Sequence, residues 1–132
     1  GAEKLLVSKL LVAGQTKELN VDKSIGYAIA GRLPDGKNMM TRARAEVVSY
    51  KKYFGIGMTG NILADRIGAY AHVFTNIGNR PFGAACIQAS YDIDGFHLHM
   101  IDPNGFSYGY NACSVGKGKQ IAKAEFEKRD FK

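Results

Sequence analysis

The sequence has no tryptophan, and its 132 residues include only three prolines and two cysteines. Cys86 and Cys113 stand far apart in apolar surroundings, without the spacing of metal ligands, which argues against a cysteine-based zinc motif. Buried free thiols are typical of proteins in a reducing compartment. We therefore expect a protein of the cytoplasm and nucleus.

The chain also lacks a long apolar run. No segment approaches the ~18 consecutive apolar residues that a membrane-spanning helix needs, so we expect no membrane partner. Residues 1–4, Gly-Ala-Glu-Lys, do not show the basic and then apolar layout of a secretory signal. The length fits a single domain over residues 1–132 with a core of its own.

Acidic residues are outnumbered, since 18 lysines and arginines against 12 acidic residues give a net charge of +6. Such an excess raises the question of nucleic acid binding. The basic residues are dispersed, however, and the densest stretch, 117–132, is diluted by Glu125, Glu127 and Asp130. No basic run alternates with aromatic residues as in a single-strand binding surface. We expect a solvated surface and no nucleic acid partner.

The hydrophobic pattern divides the chain into runs of strands and runs of helices. Period-two and short apolar segments predict strands at residues 5–12, 17–21, 24–30, 82–91, 96–101 and 106–115. Apolar spacings of three and four predict helices at residues 33–54 and 59–77 and after Gly118, where 121–126 carry the apolar positions. Segregated runs of strands and helices indicate an α+β fold with layers.

The two long helices each carry an apolar stripe. In the first, Pro34 suits the first turn, and Gly55 and Gly57 end the helix. In the second, Thr59 is a candidate N-cap and Gly78 stops the helix. The predicted stripes are Met40, Ala43, Val47, Tyr50 and Phe54, and Leu63, Ile67, Tyr70, Phe74 and Ile77. We expect the helices to form an antiparallel pair that packs on a sheet.

Candidate metal ligands are sparse. His97 and His99 lie on one face of a predicted strand, and Asp94 or Asp102 could assist them. Two ligands do not make a site, and the remaining histidine, His72, belongs to the second helix. We predict no metal site.

The other motifs that suggest chemistry are incomplete. Residues 116–119, Gly-Lys-Gly-Lys, lack the upstream glycine and the hydroxyl residue of a phosphate loop. Residues 92–95, Asp-Ile-Asp-Gly, lack the glycine position and closing glutamate of a calcium loop and predict a hairpin turn. No serine lies in a Gly-x-Ser-x-Gly elbow. The residues alone therefore predict no catalytic constellation and no cofactor.

Four segments, in order, resemble the alpha-type subunits of the 20S proteasome. They are residues 7–10, Val-Ser-Lys-Leu; 29–35, Ile-Ala-Gly-Arg-Leu-Pro-Asp; 80–83, Arg-Pro-Phe-Gly; and 101–118, which include Ile-Asp-Pro-Asn-Gly, Tyr-Gly-Tyr and Ala-Cys-Ser-Val-Gly-Lys-Gly. The Tyr-Gly-Tyr and the charged end of the last helix are most similar to the alpha-3-type subunits, at the seventh position of the alpha ring.

The resemblance implies a four-layer αββα sandwich of the N-terminal-nucleophile hydrolase type, incomplete here at both ends. The N-terminal gate helix, the first strand and the C-terminal elements of the family lie outside this sequence. Catalytic members of the family use a threonine at the mature N-terminus. Residue 1 is glycine and aligns inside a strand, so the resemblance implies a chain that performs no peptide-bond chemistry.

The resemblance also implies partners and a binding site. Alpha subunits form heptameric rings that dock onto beta subunits, admit unfolded protein, and bind the C-terminal tails of activators in pockets between neighbours. A lysine that pairs with the tail carboxylate corresponds to Lys17, although the shorter loop here makes Glu18 the alternative at that position. Gly31 and Arg32 match the pocket wall, where Arg32 replaces a residue that is often apolar.

Two other interpretations stay open at this point. One is a beta-type or bacterial threonine peptidase whose N-terminus precedes this sequence. The other is a basic RNA-binding domain, which rests on the charge alone and would need a strongly salt-dependent affinity for RNA.

Overall fold

The structure, a computed structural model, describes residues 18–76 and 78–129. Its elements, in chain order, are β1 (Glu18–Asp22), β2 (Ile25–Gly31), α1 (Leu33–Phe54), α2 (Gly60–Asn76), β3 (Ala84–Asp92), β4 (Gly95–Ile101), β5 (Ser107–Gly109) and α3 (Lys119–Glu127). This order of strands, two helices, strands and a helix confirms the predicted α+β layout. The strand predicted at residues 5–12, the candidate Lys17 and the stripe residue Ile77 lie outside the described residues.

The strands form one antiparallel sheet in the order β1-β2-β3-β4-β5. β2 and β3, which are separated in sequence by both long helices, pair along seven residues from Ile25↔Ser90 to Gly31↔Ala84. β3 and β4 form a hairpin closed by the Asp92↔Gly95 pair, as residues 92–95 predict. Alternate residues of β2 and β3 are buried, so one face of the sheet carries the core.

The helices α1 and α2 run antiparallel, as predicted. Glu46 contacts Arg66, and Asn38, which is nearer the start of α1, accepts a hydrogen bond from Tyr70, which is nearer the end of α2. The two helices therefore run in opposite directions. Pro34 lies in the first turn of α1, and Gly55 ends it in the left-handed conformation with φ of 71°. Both helices pack on the same face of the sheet, where they bury Met39, Ala43, Leu63, Ile67, Cys86 and Ile101 completely.

Among the described residues, the predicted helix stripes are confirmed except at Phe54. Phe54 is 61% exposed, because it is the last residue of α1, where the helix has passed the core. Its ring instead contacts Tyr50, at 4.5 Å between centroids.

The second face of the sheet is also apolar. We call it the open face, and it is formed by Ala28, Ala30, Ala85, Ile87, Ala89, Leu98 and Met100. These residues are half-buried or exposed, and in the described residues no second sheet covers them. The described part of the chain thus contains two layers, α and β, of the four that the resemblance implies.

The prediction of a strand over residues 106–115 is wrong in its extent. β5 comprises only Ser107–Gly109, followed by one further hydrogen bond from the Tyr110 N–H to the Leu98 carbonyl. The apolar residues that follow, including Cys113 and Val115, line a groove of about 740 Å³ with Met100 of the open face and Phe126 of α3. Their side chains therefore face this groove, and their backbone does not extend the sheet.

Both cysteines are free thiols, as expected, but only Cys86 is buried, whereas Cys113 is half-buried. Within the described ranges, none of the helices combines the length and the hydropathy that crossing a membrane requires.

Candidate functional site

The candidate site lies where β2 passes into α1, and a glycine makes the passage possible. Gly31 has a φ of +113°, which other residues rarely adopt. A Cβ atom at this position would lie 2.4 Å from the carbonyl oxygen of Gly83, so the two backbones could not approach as they do. Gly31, Arg32, Asp35, Arg80 and Gly83 together form what we call the β2–α1 junction.

Arg32 begins the helix through its backbone and leaves its side chain in solvent. Its N–H donates to the carbonyl of Gly83 at 2.7 Å, and its carbonyl accepts from the N–H of Gly36 at 3.1 Å. The side chain is exposed and lies over Gly83, where an added Cβ would be 2.9 Å from Arg32 Cδ. Within residues 18–76 and 78–129, Arg32 forms no ion pair.

Asp35 fastens the junction to the start of β3. Its carboxylate accepts two hydrogen bonds from the guanidinium of Arg80, at 2.6 and 2.8 Å, and one from the N–H of Gly83 at 2.8 Å. The hydrogen bonds from Arg80 and Gly83 lower the pKa of Asp35 to about 2. The carboxylate is therefore ionised in the first turn of α1, where the helix dipole also favours it.

The junction explains why two separate sequence motifs occur together. Asp35 ends the motif at residues 29–35, and Arg80 and Gly83 belong to the motif at residues 80–83. Both motifs are recognisable in the sequence, but the sequence alone assigns no role to Asp35 or Arg80. In the sequence, Asp35 and Arg80 are charged residues within two separate motifs. No local pattern indicates that they pair across 45 positions.

Of the three predicted site residues, the structure describes two. Gly31 and Arg32 are adjacent at the junction. Lys17 lies outside the described residues. β1 begins at Glu18, which pairs with Ala28 of β2. Ala28 precedes Gly31 by three residues in β2.

A second polar feature that sequence reasoning missed lies in the core. Gln88 is fully buried in β3, where its Oε1 accepts from the Tyr27 hydroxyl at 2.5 Å and its Nε2 donates to the Gly60 carbonyl at 2.7 Å. Burial raises the pKa of Tyr27 and keeps its hydroxyl a donor. This network fixes the start of α2 on the sheet. A glutamine within an apolar strand is the signal that would have indicated it.

The two cysteines do not have the surroundings of nucleophiles. Burial raises the pKa of Cys86 to about 12 and also raises the pKa of Cys113. Both are therefore held as neutral thiols, whereas a nucleophilic cysteine needs its pKa lowered by a nearby cation or helix N-terminus.

The predicted histidine pair is on one face of β4, but its members have different surroundings. The ring centroids of His97 and His99 are 6.3 Å apart. His97 Nε2 lies 3.1 Å from Asp92 Oδ1, whereas His99 Nδ1 is buried without a hydrogen-bond partner among the described residues. Burial lowers the pKa of His99, which keeps its imidazole neutral.

Comparison with known proteins matches the whole chain, residues 1–132, to the family described as proteasome subunit. The chain is 42% identical, over 98% of its length, to a protein of Schizosaccharomyces pombe named probable proteasome subunit alpha type-7, of which it covers 52%. It is 40% identical over 97% of its length to proteasome subunit alpha type-3 of Spinacia oleracea, covering 52%, and 41% identical over 96% to probable proteasome subunit alpha type-7 of Saccharomyces cerevisiae, covering 44%. The chain thus spans about half the length of these curated relatives.

Proposed function

Because the chain belongs to the proteasome subunit family, we propose that it is the central part of an alpha-type subunit in the outer ring of the 20S core particle. The observation that carries this proposal is identity of about 40%, along nearly the whole chain, to relatives named alpha type-3 and alpha type-7. The same names argue against a beta-type or bacterial threonine peptidase.

As such a subunit, the protein has a structural and gating role and no peptidase chemistry of its own. Its partners are the neighbouring alpha subunits of a heptameric ring, the beta subunits that hold the catalytic residues, and the activators that open the ring. Unfolded protein passes through the ring, in the cytoplasm and the nucleus, towards degradation. The neutral thiols of Cys86 and Cys113 agree with a chain that supplies no nucleophile.

The β2–α1 junction has the properties of a docking site for an activator's C-terminal carboxylate. Arg32 presents an exposed guanidinium whose charge is not neutralised by an ion pair within the described ranges. The negative charge nearest to it, Asp35, is already held by Arg80 through two hydrogen bonds. A guanidinium can bind a carboxylate through two parallel hydrogen bonds, which a lysine cannot do. Arg32 therefore supports the docking role together with Lys17.

The experiment introduces Arg32→Ala and Lys17→Ala, singly, into the full-length subunit of an assembled particle. We expect each variant to weaken activator-stimulated peptide hydrolysis about fivefold or more, which corresponds to the loss of ~1 kcal/mol or more from a charge-assisted contact. Basal hydrolysis by the open particle stays unchanged, because the catalytic residues are on other subunits. Arg32→Lys keeps the charge and retains part of the stimulation.

Lys52→Ala is the matched control, because Lys52 is an exposed basic residue in the last turn of α1, at the opposite end of the helix from Arg32. If Arg32→Ala leaves activator-stimulated hydrolysis unchanged, Arg32 is not part of the site. Stimulation that survives both Arg32→Ala and Lys17→Ala contradicts docking at this junction.

A further inference from the structure

The β3–β4 hairpin carries a group of metal-ligating side chains to which the proposed function gives no role. Asp92, at the end of β3, Asp94, in the turn, and His97, in β4, each offer one ligand atom. These three atoms all lie within 4.8 Å of one another. The group combines two carboxylates with one imidazole.

The spacing of these atoms suits one small divalent ion. Two ligand atoms of a tetrahedral zinc ion, each about 2.1 Å from it, lie about 3.4 Å apart. His97 Nε2 and Asp92 Oδ1 are already closer than this, at 3.1 Å. Asp94 is exposed on the hairpin turn, and its ligand atom lies within 4.8 Å of the other two.

Main-chain contacts already orient Asp92 as a ligand. Its Oδ2 accepts a hydrogen bond from the N–H of Gly60 at 2.9 Å, and its Oδ1 accepts from the N–H of Asp94 at 3.0 Å. The hydrogen bond from the N–H of Gly60 and, to a smaller extent, the one from the N–H of Asp94 lower the pKa of Asp92 and keep its carboxylate ionised. Hydrogen bonds of this kind hold the ligating carboxylates of metal sites in position.

Two buried polar atoms beside His97 are a second, independent sign of a ligand. Ser90 is only 6% exposed and stands directly opposite His97 in the sheet, and His99 follows two residues later on the same face. Ser90 Oγ and His99 Nδ1 are both buried without a hydrogen-bond partner among the described residues. Buried polar atoms of folded proteins are nearly always paired, and ordered water around an ion provides such pairing.

The surroundings also provide room for water ligands. A cavity of about 350 Å³ is lined by His97 and His99 of β4, Asn61 of α2, and Asn111. A zinc ion held by three protein ligands keeps a fourth position for water.

We propose that Asp92, Asp94 and His97 bind one Zn²⁺ ion, with water from the adjoining cavity as the remaining ligand. An imidazole in the ligand set favours zinc and its neighbours in the transition series over Mg²⁺ and Ca²⁺, which prefer oxygen ligands. Because Asp92 also accepts from the N–H of Gly60, the ion fastens the β3–β4 hairpin to the start of α2.

The test titrates the full-length protein, free of any histidine tag, with Co²⁺, followed by its visible absorption, and then displaces the Co²⁺ with Zn²⁺. We expect one site that binds Zn²⁺ and resists displacement by millimolar Mg²⁺. Asp94→Asn and His97→Gln each weaken binding about tenfold or more through the loss of one ligand. His72→Gln is the control, because the ring of His72 on α2 lies 3.2 Å from the Asn104 carbonyl oxygen and 3.1 Å from Asn76 Nδ2, and His72 is not part of the group formed by Asp92, Asp94 and His97.

Asp94→Asn keeps the test independent of folding, because an exposed turn residue is replaced by another good turn former. The thermal unfolding of each variant in the presence of a chelator checks this directly. Equal affinity of the wild-type protein and both ligand variants overturns the proposal. So does the absence of Zn²⁺ binding tighter than about 1 mM, or displacement of the Co²⁺ by Mg²⁺.

Discussion

The two faces of the sheet are both apolar, yet only one of them is covered by the two long helices α1 and α2 in the described residues. On β4, Ile101 is completely buried against the helices, whereas its neighbour Met100 on the open face is only half-buried. On β3, Cys86 and Ile87 show the same contrast. An antiparallel sheet with one solvated face alternates apolar and polar residues, and a sheet that is apolar on both faces is an inner layer. The open face is therefore the surface on which the second sheet of the αββα sandwich packs.

The largest expected effect comes from placing a charge on the open face. We expect Ile87→Asp in the full-length protein to cost more than about 4 kcal/mol in the free energy of unfolding, because an unpaired carboxylate would be buried between two sheets. The measurement is chemical unfolding, or the yield of folded protein where the variant does not fold.

Ile93→Asp is the control for this change, because Ile93 is 94% exposed at the tip of the β3–β4 hairpin. Its effect should stay within about 0.5 kcal/mol. If Ile87→Asp were tolerated as well as Ile93→Asp, the open face would be solvated in the whole protein and the four-layer fold would be wrong.

A smaller effect is expected on the covered face from removing apolar volume. Ile101→Ala should cost about 2–5 kcal/mol, because Ile101 is completely buried in the core and the surroundings close only partly around the cavity. Ile101→Val, which removes a single methylene, should cost about 0.5–1.5 kcal/mol. Equal costs for the two variants, measured by urea unfolding, would mean that this face is not close-packed.

The smallest effect concerns the ion pair that fastens the helices over the covered face. Asp35→Asn should lower the free energy of unfolding by about 1–2 kcal/mol at pH 7. This is less than the pKa shift of Asp35 alone would give, because the Arg80 side chain is more than half exposed to solvent. The pKa of Asp35 is about 2 in the folded protein and ~3.9 in an unfolded chain. Its contribution is therefore complete above about pH 5 and is lost as the pH falls towards 2.

Urea unfolding of the wild-type protein and of Asp35→Asn from pH 7 to pH 3 measures this dependence. The difference between the two free energies should shrink by about half at pH 3. A difference that stays constant over this range would show that Asp35 contributes by packing and not by its charge.

The sequence was sufficient to predict features that depend on local patterns. Among the described residues, the stripes of α1 and α2 apart from Phe54, Pro34 in the first turn, the end of α1 at Gly55 and the turn at residues 92–95 were predicted correctly, because period and turn chemistry are local. The strand expected over residues 106–115 is wrong in its extent, because pairing in a sheet is not a local property. Its apolar residues face a groove beside α3, and a period of two cannot distinguish that from pairing in a sheet.

The candidate site was predictable only in part. Gly31 and Arg32 were named through a motif resemblance and lie at the junction, and their role in binding stays a prediction. The partnership of Asp35 with Arg80 joins residues 45 positions apart and depends on how the chain folds back on itself, whereas Asp92 and His97 lie on the two strands of the predicted hairpin. The sequence named His97 and His99 as candidate ligands with Asp94 or Asp102 assisting, whereas the structure groups His97 with Asp92 and Asp94.

The central claim is that this chain is part of an alpha-ring subunit, and native mass spectrometry of the full-length protein purified from its own cells tests it most directly. The account predicts that the protein is found in a particle with seven-membered alpha rings and with beta subunits. A protein found only as a monomer, or in assemblies without other proteasome subunits, would contradict it.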